Sequence, residues 1–179
     1  PLEKEKLNTG THDLGFMLYN SFGNGYRITG NPEYKDILVT GAKSLISRYN
    51  DTVGCIRSWD HGNWSFPVIV DNLMNLEYLF WATRVTGDSV FYHIAVSHIE
   101  KTIKNHYRID WSSYHLVDYN PATGEPIQKQ TAQGACDESA WARGQAWGLY
   151  GFTVAYRETG NKKYLEVAEN IADFILKHP

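Results

Sequence analysis

Two carboxylates and a guanidinium stand at matching distances before three glycines that end repeated segments of the chain. Asp13, Asp71 and Arg143 precede the next such glycine by 17, 16 and 17 residues. If the intervening residues are helical, each polar side chain lies roughly 24 Å from its glycine, at the same end of the molecule. Carboxyl groups are common general acids and bases, so their convergence with an arginine is the strongest indication of a functional site. The three glycines are Gly30, Gly87 and Gly160.

A simpler explanation is that Asp13 and Asp71 are acids in the first turns of helices, where the helix dipole favours negative charge. The residues around them argue for a site instead. His12 precedes Asp13, and Trp64 and Trp147 flank the other two positions. An acid pair with an arginine and aromatic neighbours is more than helix capping requires.

Further candidates are weaker when taken one at a time. His115 and Gln133 lie in the long connection over residues 108–142, where each either contacts a ligand or stabilises the loop. Trp147 follows Arg143 by one helical turn and is placed to line the mouth of a cavity. Three other tryptophans are equally compatible with core packing and with stacking on a sugar: Trp59, Trp64 and Trp141.

Two adjacent acid and histidine pairs resemble metal ligands. Neither pair has a third partner at the spacing of a metal site, so no metal is predicted, and nothing in the sequence implies another cofactor. The pairs are His12-Asp13 and Asp60-His61.

A repeat in the sequence predicts the helices that must position these side chains. Three apolar segments end in Thr-Gly, and an Asn or Asp follows each glycine, with an aromatic residue three positions later. Glycine suits the left-handed residue that closes a helix, and Asn or Asp caps the next one. The second helix of each unit should bury one stripe. In the first unit the stripe includes Ile37, Leu38, Gly41, Ala42 and Leu45.

The first helix of each unit is apolar over most of its circumference. These segments cover residues 14–28, 70–85 and 143–158. Inner helices paired with one-faced outer helices predict an all-α fold, an α/α toroid with its long connections on one rim. Three pairs are about half of an (α/α)6 barrel, so we expect residues 1–179 to be a single-domain fragment of a longer protein, exposed along its first and last pairs. A short hairpin is expected around residues 114–124.

The amino-acid composition limits the kinds of partner that the chain can bind. The chain has 179 residues and a net charge of −3, so it has no basic field for nucleic acid. No apolar run reaches the length of a membrane span, and the two cysteines do not suggest a disulfide framework. Aromatic residues make up 14% of the chain, which suits sugar stacking on the looped rim as well as core packing.

Several motifs together resemble one known family. They are Thr11 to Phe16, Val70 to Leu76, Ser113 to Val117, Thr131 to Gly134 and Trp141 to Gly151. In this order, along nearly the whole chain, they resemble the unsaturated glucuronyl hydrolases, glycoside hydrolase family 88. The stretch Trp-Ala-Arg-Gly-Gln-Ala-Trp is the most specific. The sister rhamnogalacturonyl hydrolases tend to have Arg-Gly-Asn-Gly-Trp there.

The resemblance implies removal of a 4,5-unsaturated uronic acid from the non-reducing end of oligosaccharides that polysaccharide lyases produce. In the family a carboxylic acid protonates C4 of the vinyl ether, water adds at C5, and the hemiketal breaks down. Asp71 matches the acid and base, and Asp13 matches a second essential acid. His115, Gln133, Arg143 and Trp147 match substrate-binding positions of the family. His12 lies next to these positions, and Trp59 is a further substrate-binding candidate.

The resemblance leaves open which disaccharide is preferred, the oligomeric state, and whether the compartment is the bacterial cytoplasm or periplasm. The alternatives are a rhamnogalacturonyl hydrolase or other α/α-barrel glycosidase, or a non-catalytic sugar-binding fragment. For the acid pair, desolvation and the charge of Asp13 oppose the effect of the helix dipole on Asp71. We therefore expect Asp71 to have the higher pKa of the two and Asp13 to stay ionised.

Overall fold

The computed structural model describes residues 1–178, and helices form most of it. A 3₁₀-helix, Leu2–Leu7, precedes the first hairpin. The first inner element is a π-helix, Gly15–Gly23, that continues into α1, Asn24–Thr29. The other elements are α2 (Pro32–Ile46), a 3₁₀-helix (Val70–Asn75) continuing into α3 (Leu76–Thr86), α4 (Val90–His106), α5 (Ala142–Thr159) and α6 (Lys162–Lys177).

Three helical hairpins turn where the repeat predicts. Gly30, Gly87 and Gly160 end the inner helices with φ values of 67°, 74° and 70°, a left-handed conformation that favours glycine. The side chains of Asn31 and Asn161 accept hydrogen bonds from the backbone amides of Glu33 and Lys163, the second residues of the following helices. These hairpins form about half of an α/α toroid, as the sequence predicted.

The starts of two inner helices differ from the regular helices predicted over residues 14–28 and 70–85. The first begins as a π-helix, in which the Ser21 hydroxyl donates to the Met17 carbonyl at 2.6 Å. The second begins as a 3₁₀-helix whose asparagine side chains bond to other segments. Side-chain hydrogen bonds of this kind compete with the regular α-helical pattern. Asp13 lies just before the first inner helix, where its carbonyl accepts from the Met17 amide.

The inner helices are not equally buried. Among the described residues only α3 is enclosed on most sides, since its middle turns lie in the core. Exposure of the other two agrees with the expectation that the first and last helix pairs are exposed along their sides. The first and third expose aromatic residues, Phe16 at 51% and Tyr150 at 37%, because each packs against neighbouring helices on one flank. The outer helices bury one stripe, as predicted.

A small sheet joins the long connections. The predicted hairpin is present as β4 (Leu116–Tyr119) and β5 (Pro126–Gln130). It pairs with an unpredicted strand, β3 (Pro67–Ile69), in the antiparallel order β3-β4-β5. A second, two-stranded sheet consists of β1 (Tyr49–Asn50) and β2 (Cys55–Ile56). The Val70 amide donates to the His115 carbonyl at 2.9 Å, so the larger sheet ends beside Asp71.

Among the residues that the structure describes, no helix combines the length and apolar character needed to cross a bilayer.

Candidate active site

A cavity of about 520 Å³ opens on the rim of the long connections. Six of the eight predicted site residues line it: His12, Asp13, Trp59, Asp71, Gln133 and Arg143. The other two, His115 and Trp147, lie against Asp71. Residues from all three hairpins and from both long connections therefore meet in one place.

Asp71 lies in the first turn of the 3₁₀-helix and is only 7% exposed. Its Oδ1 atom lies 3.8 Å from His115 Nε2, and its Oδ2 atom lies 3.8 Å from Arg143 Nε. Burial raises the pKa of Asp71 to about 6, Arg143 opposes the rise, and the charge of Asp13 adds to it. Desolvation outweighs the nearby cation because removing water penalises the charged form directly. The direction of this shift agrees with the one expected for Asp71.

His115 is neutral, and its Nε2 atom faces Asp71 at 3.8 Å, slightly beyond hydrogen-bond distance. Its Nδ1 atom accepts from the Ala132 amide at 2.9 Å, so the proton of the neutral ring is on Nε2, which faces Asp71. Burial and the charge of Arg143 lower the pKa of His115 to about 4. The ring packs edge-on against Trp141 at 4.6 Å between centroids. The protonated Nε2 of His115 is thus directed at a buried carboxyl group near neutral pH.

His12 and Asp13 also line the cavity. His12 Nδ1 donates to the Ser58 carbonyl at 2.7 Å, and its Nε2 atom lies 3.4 Å from Asp13 Oδ1. Burial lowers the pKa of His12. The Thr11 hydroxyl donates to Asp13 at 3.1 Å, and the Asp13 side chain is 52% exposed. The site therefore pairs a buried carboxyl group, Asp71, with a solvated one, Asp13.

Arg143 is held in place by two neighbours. It donates to Gln133 Oε1 at 2.6 Å, and its guanidinium lies 4.2 Å above the ring of Trp141. The Arg143 side chain is still 58% exposed, so it remains available to an anionic group in the cavity. Trp141 thus supports the site from behind, the packing role that the sequence left open.

Aromatic rings form the remaining wall. Trp59 stacks on His61 at 5.5 Å and meets Trp64 edge-on at 5.4 Å. At the other side, Trp147 packs edge-on against Phe16 at 5.8 Å. A sugar ring entering the cavity would meet flat apolar surface as well as charge.

Sequence reasoning missed part of the site. His61, Ile69 and Ala132 also line the cavity, and Asn72 and Asn75 are buried beneath it. The two asparagines carried a usable signal, since together with Asp71 they interrupt an otherwise apolar segment over residues 70–76. Within residues 1–178, no group of three or more His, Cys, Asp or Glu side chains is arranged to hold a metal ion.

Replacing Arg143 with Met is expected to raise the pKa of Asp71 above 6, because it removes the nearby positive charge that opposes the effect of burial. Titration of the Asp71 carboxyl carbon by NMR measures this. Arg157→Met is a matched control, since Arg157 lies on the same helix with a similar side-chain exposure of 57%. An unchanged or lower pKa in Arg143→Met would show that the two groups do not interact.

Comparison with known proteins gives a consistent result. No protein-family model matches the chain. It is 48% identical to an unsaturated glucuronyl hydrolase from Formosa agariphila over 99% of its length and 45% of that protein. A crystal structure of an unsaturated glucuronyl hydrolase specific for heparin matches with a TM-score of 0.97 and 52% identity, over 99% of this chain and 48% of the other.

A third match is a mutant unsaturated glucuronyl hydrolase from Streptococcus agalactiae, complexed with dGlcA-GalNAc6S. It is 33% identical, with a TM-score of 0.72, over 91% of this chain and 38% of the other. The fold defines the chain as part of an α/α toroid, with a cavity on the rim of its long connections. The chain belongs to the unsaturated glucuronyl hydrolase family. The chain spans about half the length of the relatives it matches.

Proposed function

We propose that the protein containing this chain removes a 4,5-unsaturated uronic acid from the non-reducing end of lyase-generated oligosaccharides of the glycosaminoglycan type. Support comes from the relatives, of which one is described as specific for heparin and another was crystallised with dGlcA-GalNAc6S. Since the chain covers about half of each relative, we infer that residues 1–179 are one part of a larger (α/α)6 barrel.

The proposed reaction begins with proton transfer from Asp71 to C4 of the vinyl ether. Positive charge develops at C5 and the ring oxygen, water adds at C5, and its proton passes to the Asp71 carboxylate. The resulting hemiketal opens and releases the rest of the oligosaccharide. The observation that carries this proposal is the burial of Asp71, whose raised pKa of about 6 keeps a proton available near neutral pH.

The other residues have proposed binding roles. Arg143, held by Gln133, is suited to the uronate carboxylate, because a guanidinium binds carboxylates well. His115 would keep the Asp71 carboxyl group oriented, and His12 with Asp13 would contact hydroxyl groups across the cavity. Trp59 and Trp147 would supply the apolar faces against which the sugar packs.

The direct test is loss of the conjugated-alkene absorbance from defined substrates. Unsaturated glucuronyl disaccharides from glycosaminoglycans should be turned over, whereas unsaturated rhamnogalacturonyl disaccharides should not. The reverse preference would place the protein with the sister hydrolases. Binding without turnover, with both Asp13 and Asp71 intact in the full-length protein, would indicate a non-catalytic sugar-binding protein.

The pH dependence gives a second test. Asp71 must be protonated to donate, so kcat/KM should fall as pH rises through about 6, approaching a tenfold decrease for each further pH unit. A pH–rate profile of the full-length protein measures this. A rate that is constant from pH 5 to 8 would exclude a rate-limiting proton transfer from Asp71.

A further inference from the structure

Asn75 connects the two carboxylate-bearing segments. It is fully buried, at 0% exposure, and lies one turn after Asp71 in the same 3₁₀-helix. Its Nδ2 atom donates to the His12 carbonyl at 2.9 Å, and its Oδ1 atom accepts from the Gly15 amide at 3.0 Å. These partners stand immediately before Asp13 and two residues after it. One amide therefore holds the backbone on both sides of Asp13.

The fit between Asn75 and Gly15 leaves no space for a side chain. A Cβ atom added to Gly15 would lie 2.3 Å from Asn75 Oδ1 and 3.0 Å from Asn75 Cα. The second distance involves backbone, which a rotamer change cannot relieve. The approach of the Asp13 segment to the Asp71 helix is thus set by a glycine facing an asparagine.

Asn72 extends the contact into a buried polar network. Its Nδ2 atom donates to the Ile56 carbonyl at 2.7 Å and lies 3.2 Å from Ser58 Oγ. The Ser58 carbonyl in turn accepts from His12 Nδ1 at 2.7 Å, and Asn75 Nδ2 reaches Asn72 Oδ1 at 3.4 Å. His12 and Asp13 are therefore tied to the Asp71 helix through side chains as well as backbone.

A buried amide is costly unless its partners are well placed, and an apolar residue would fill the same space without that requirement. An amide adds hydrogen bonds that fix the distance and the orientation between the two segments it joins. Both strong bonds of Asn75 go to the segment of Asp13. We propose that Asn75 is a positioning residue that sets the Asp13 carboxylate opposite Asp71, an inference that rests on the proposed function for its catalytic consequence.

The test compares two buried asparagines in the full-length protein. Asn75→Leu removes both bonds to the Asp13 segment, and kcat should fall about 10- to 100-fold, since small misplacements of catalytic groups have effects of this size, while KM changes less than about threefold. Asn105→Leu is the matched control, because Asn105 is 5% exposed on α4, an outer helix. It should lower the melting temperature and leave kcat within about twofold.

Two further variants address the same contact. Gly15→Ala disrupts the same contact at its other partner, and its effect on kcat should be non-additive with that of Asn75→Leu. Gly15→Ala also replaces Asn75→Leu in the test if the leucine variant does not fold. Asn75→Asp keeps the acceptor for Gly15 and, when protonated, can again donate to the His12 carbonyl. The ratio of its kcat to that of the parent protein at the same pH should therefore recover as pH is lowered, which general loss of stability would not produce.

An NMR measurement separates this inference from the proposed function. Hydrogen exchange of the Gly15 amide should accelerate and the Asp13 resonances should shift in Asn75→Leu, and neither should change in Asn105→Leu. A wild-type protein without turnover would remove the proposed function, and the NMR comparison would still decide the positioning role. Unchanged Gly15 and Asp13 signals, or equal losses of kcat in the two leucine variants, would overturn the inference.

Discussion

Asp71→Asn is expected to abolish turnover of the unsaturated substrate, with kcat reduced by about 10²- to 10⁴-fold, the range that a positioned general acid or base supplies. The amide keeps the shape of the carboxyl group but has no proton to give to C4. It also cannot accept one from the attacking water. Loss of the alkene absorbance measures the rate, and titration calorimetry with the same disaccharide should show that binding is largely kept.

Stability provides the control for this variant. Because burial raises the pKa of Asp71, ionised Asp71 costs folding free energy above pH 6, and neutral Asn relieves that cost. Asp71→Asn should therefore be more stable at pH 7, by on the order of 2 kcal/mol, as chemical denaturation would show. Asp36→Asn, at an exposed position on α2 outside the cavity, should change neither property. Unchanged turnover in Asp71→Asn would remove this residue from the mechanism.

Acid is expected to destabilise the fold through its buried histidines. Burial lowers the pKa of His98 to about 3 and that of His106 to about 4. Their folded-state pKa values lie below the unfolded value of about 6.5, so the unfolded chain binds more protons and stability falls as pH decreases below 6.5. Each should cost on the order of 2 kcal/mol between pH 6.5 and 4. The regained protonation of Asp71 offsets part of this loss between about pH 6 and 4.

Substitutions that keep the hydrogen bonds test this assignment. His98 Nδ1 accepts from the Ile56 amide, and His106 Nε2 donates to the Val68 carbonyl. His98→Asn and His106→Gln preserve these bonds without a titratable ring, so denaturation free energies measured at pH 7, 5 and 4 should vary less than in the parent protein. His93→Gln, at an exposed position, is the control. If His98→Asn and His106→Gln lose stability in acid as steeply as the parent protein does, groups other than these two histidines cause the loss.

The positions of the turns, and most of the residues that line the cavity, could be predicted from the sequence because they depend on local backbone requirements. A left-handed residue at a helix end requires glycine, and the next amides require an Asn or Asp cap. Gly30, Gly87 and Gly160 therefore set the register of three hairpins. Counting back along each helix then brought Asp13 and Asp71 to one rim, where the cavity is found.

The π-helical and 3₁₀-helical starts of two inner helices, and strand β3, could not be predicted from local patterns. The apolar run over residues 67–76 contains both β3 and a 3₁₀-helix, and burial on all sides removes the periodicity that would separate them. The Gly15–Gly23 segment is likewise compatible with a regular α-helix, and its observed form accompanies the contact with Asn75.

The sequence by itself determined which residue types stand at the rim and how far each lies from its turn, because these depend on helix length and on local backbone chemistry. Only the tertiary structure decided the protonation behaviour and the contacts of those residues. The raised pKa of Asp71, the Nε2 proton of His115 and the approach of Gly15 to Asn75 depend on residues that are distant in the sequence. The His115–Ala132 bond spans 17 residues and the Gly15–Asn75 bond spans 60. Desolvation and hydrogen-bond direction are properties of the packed neighbourhood, and no local pattern specifies them.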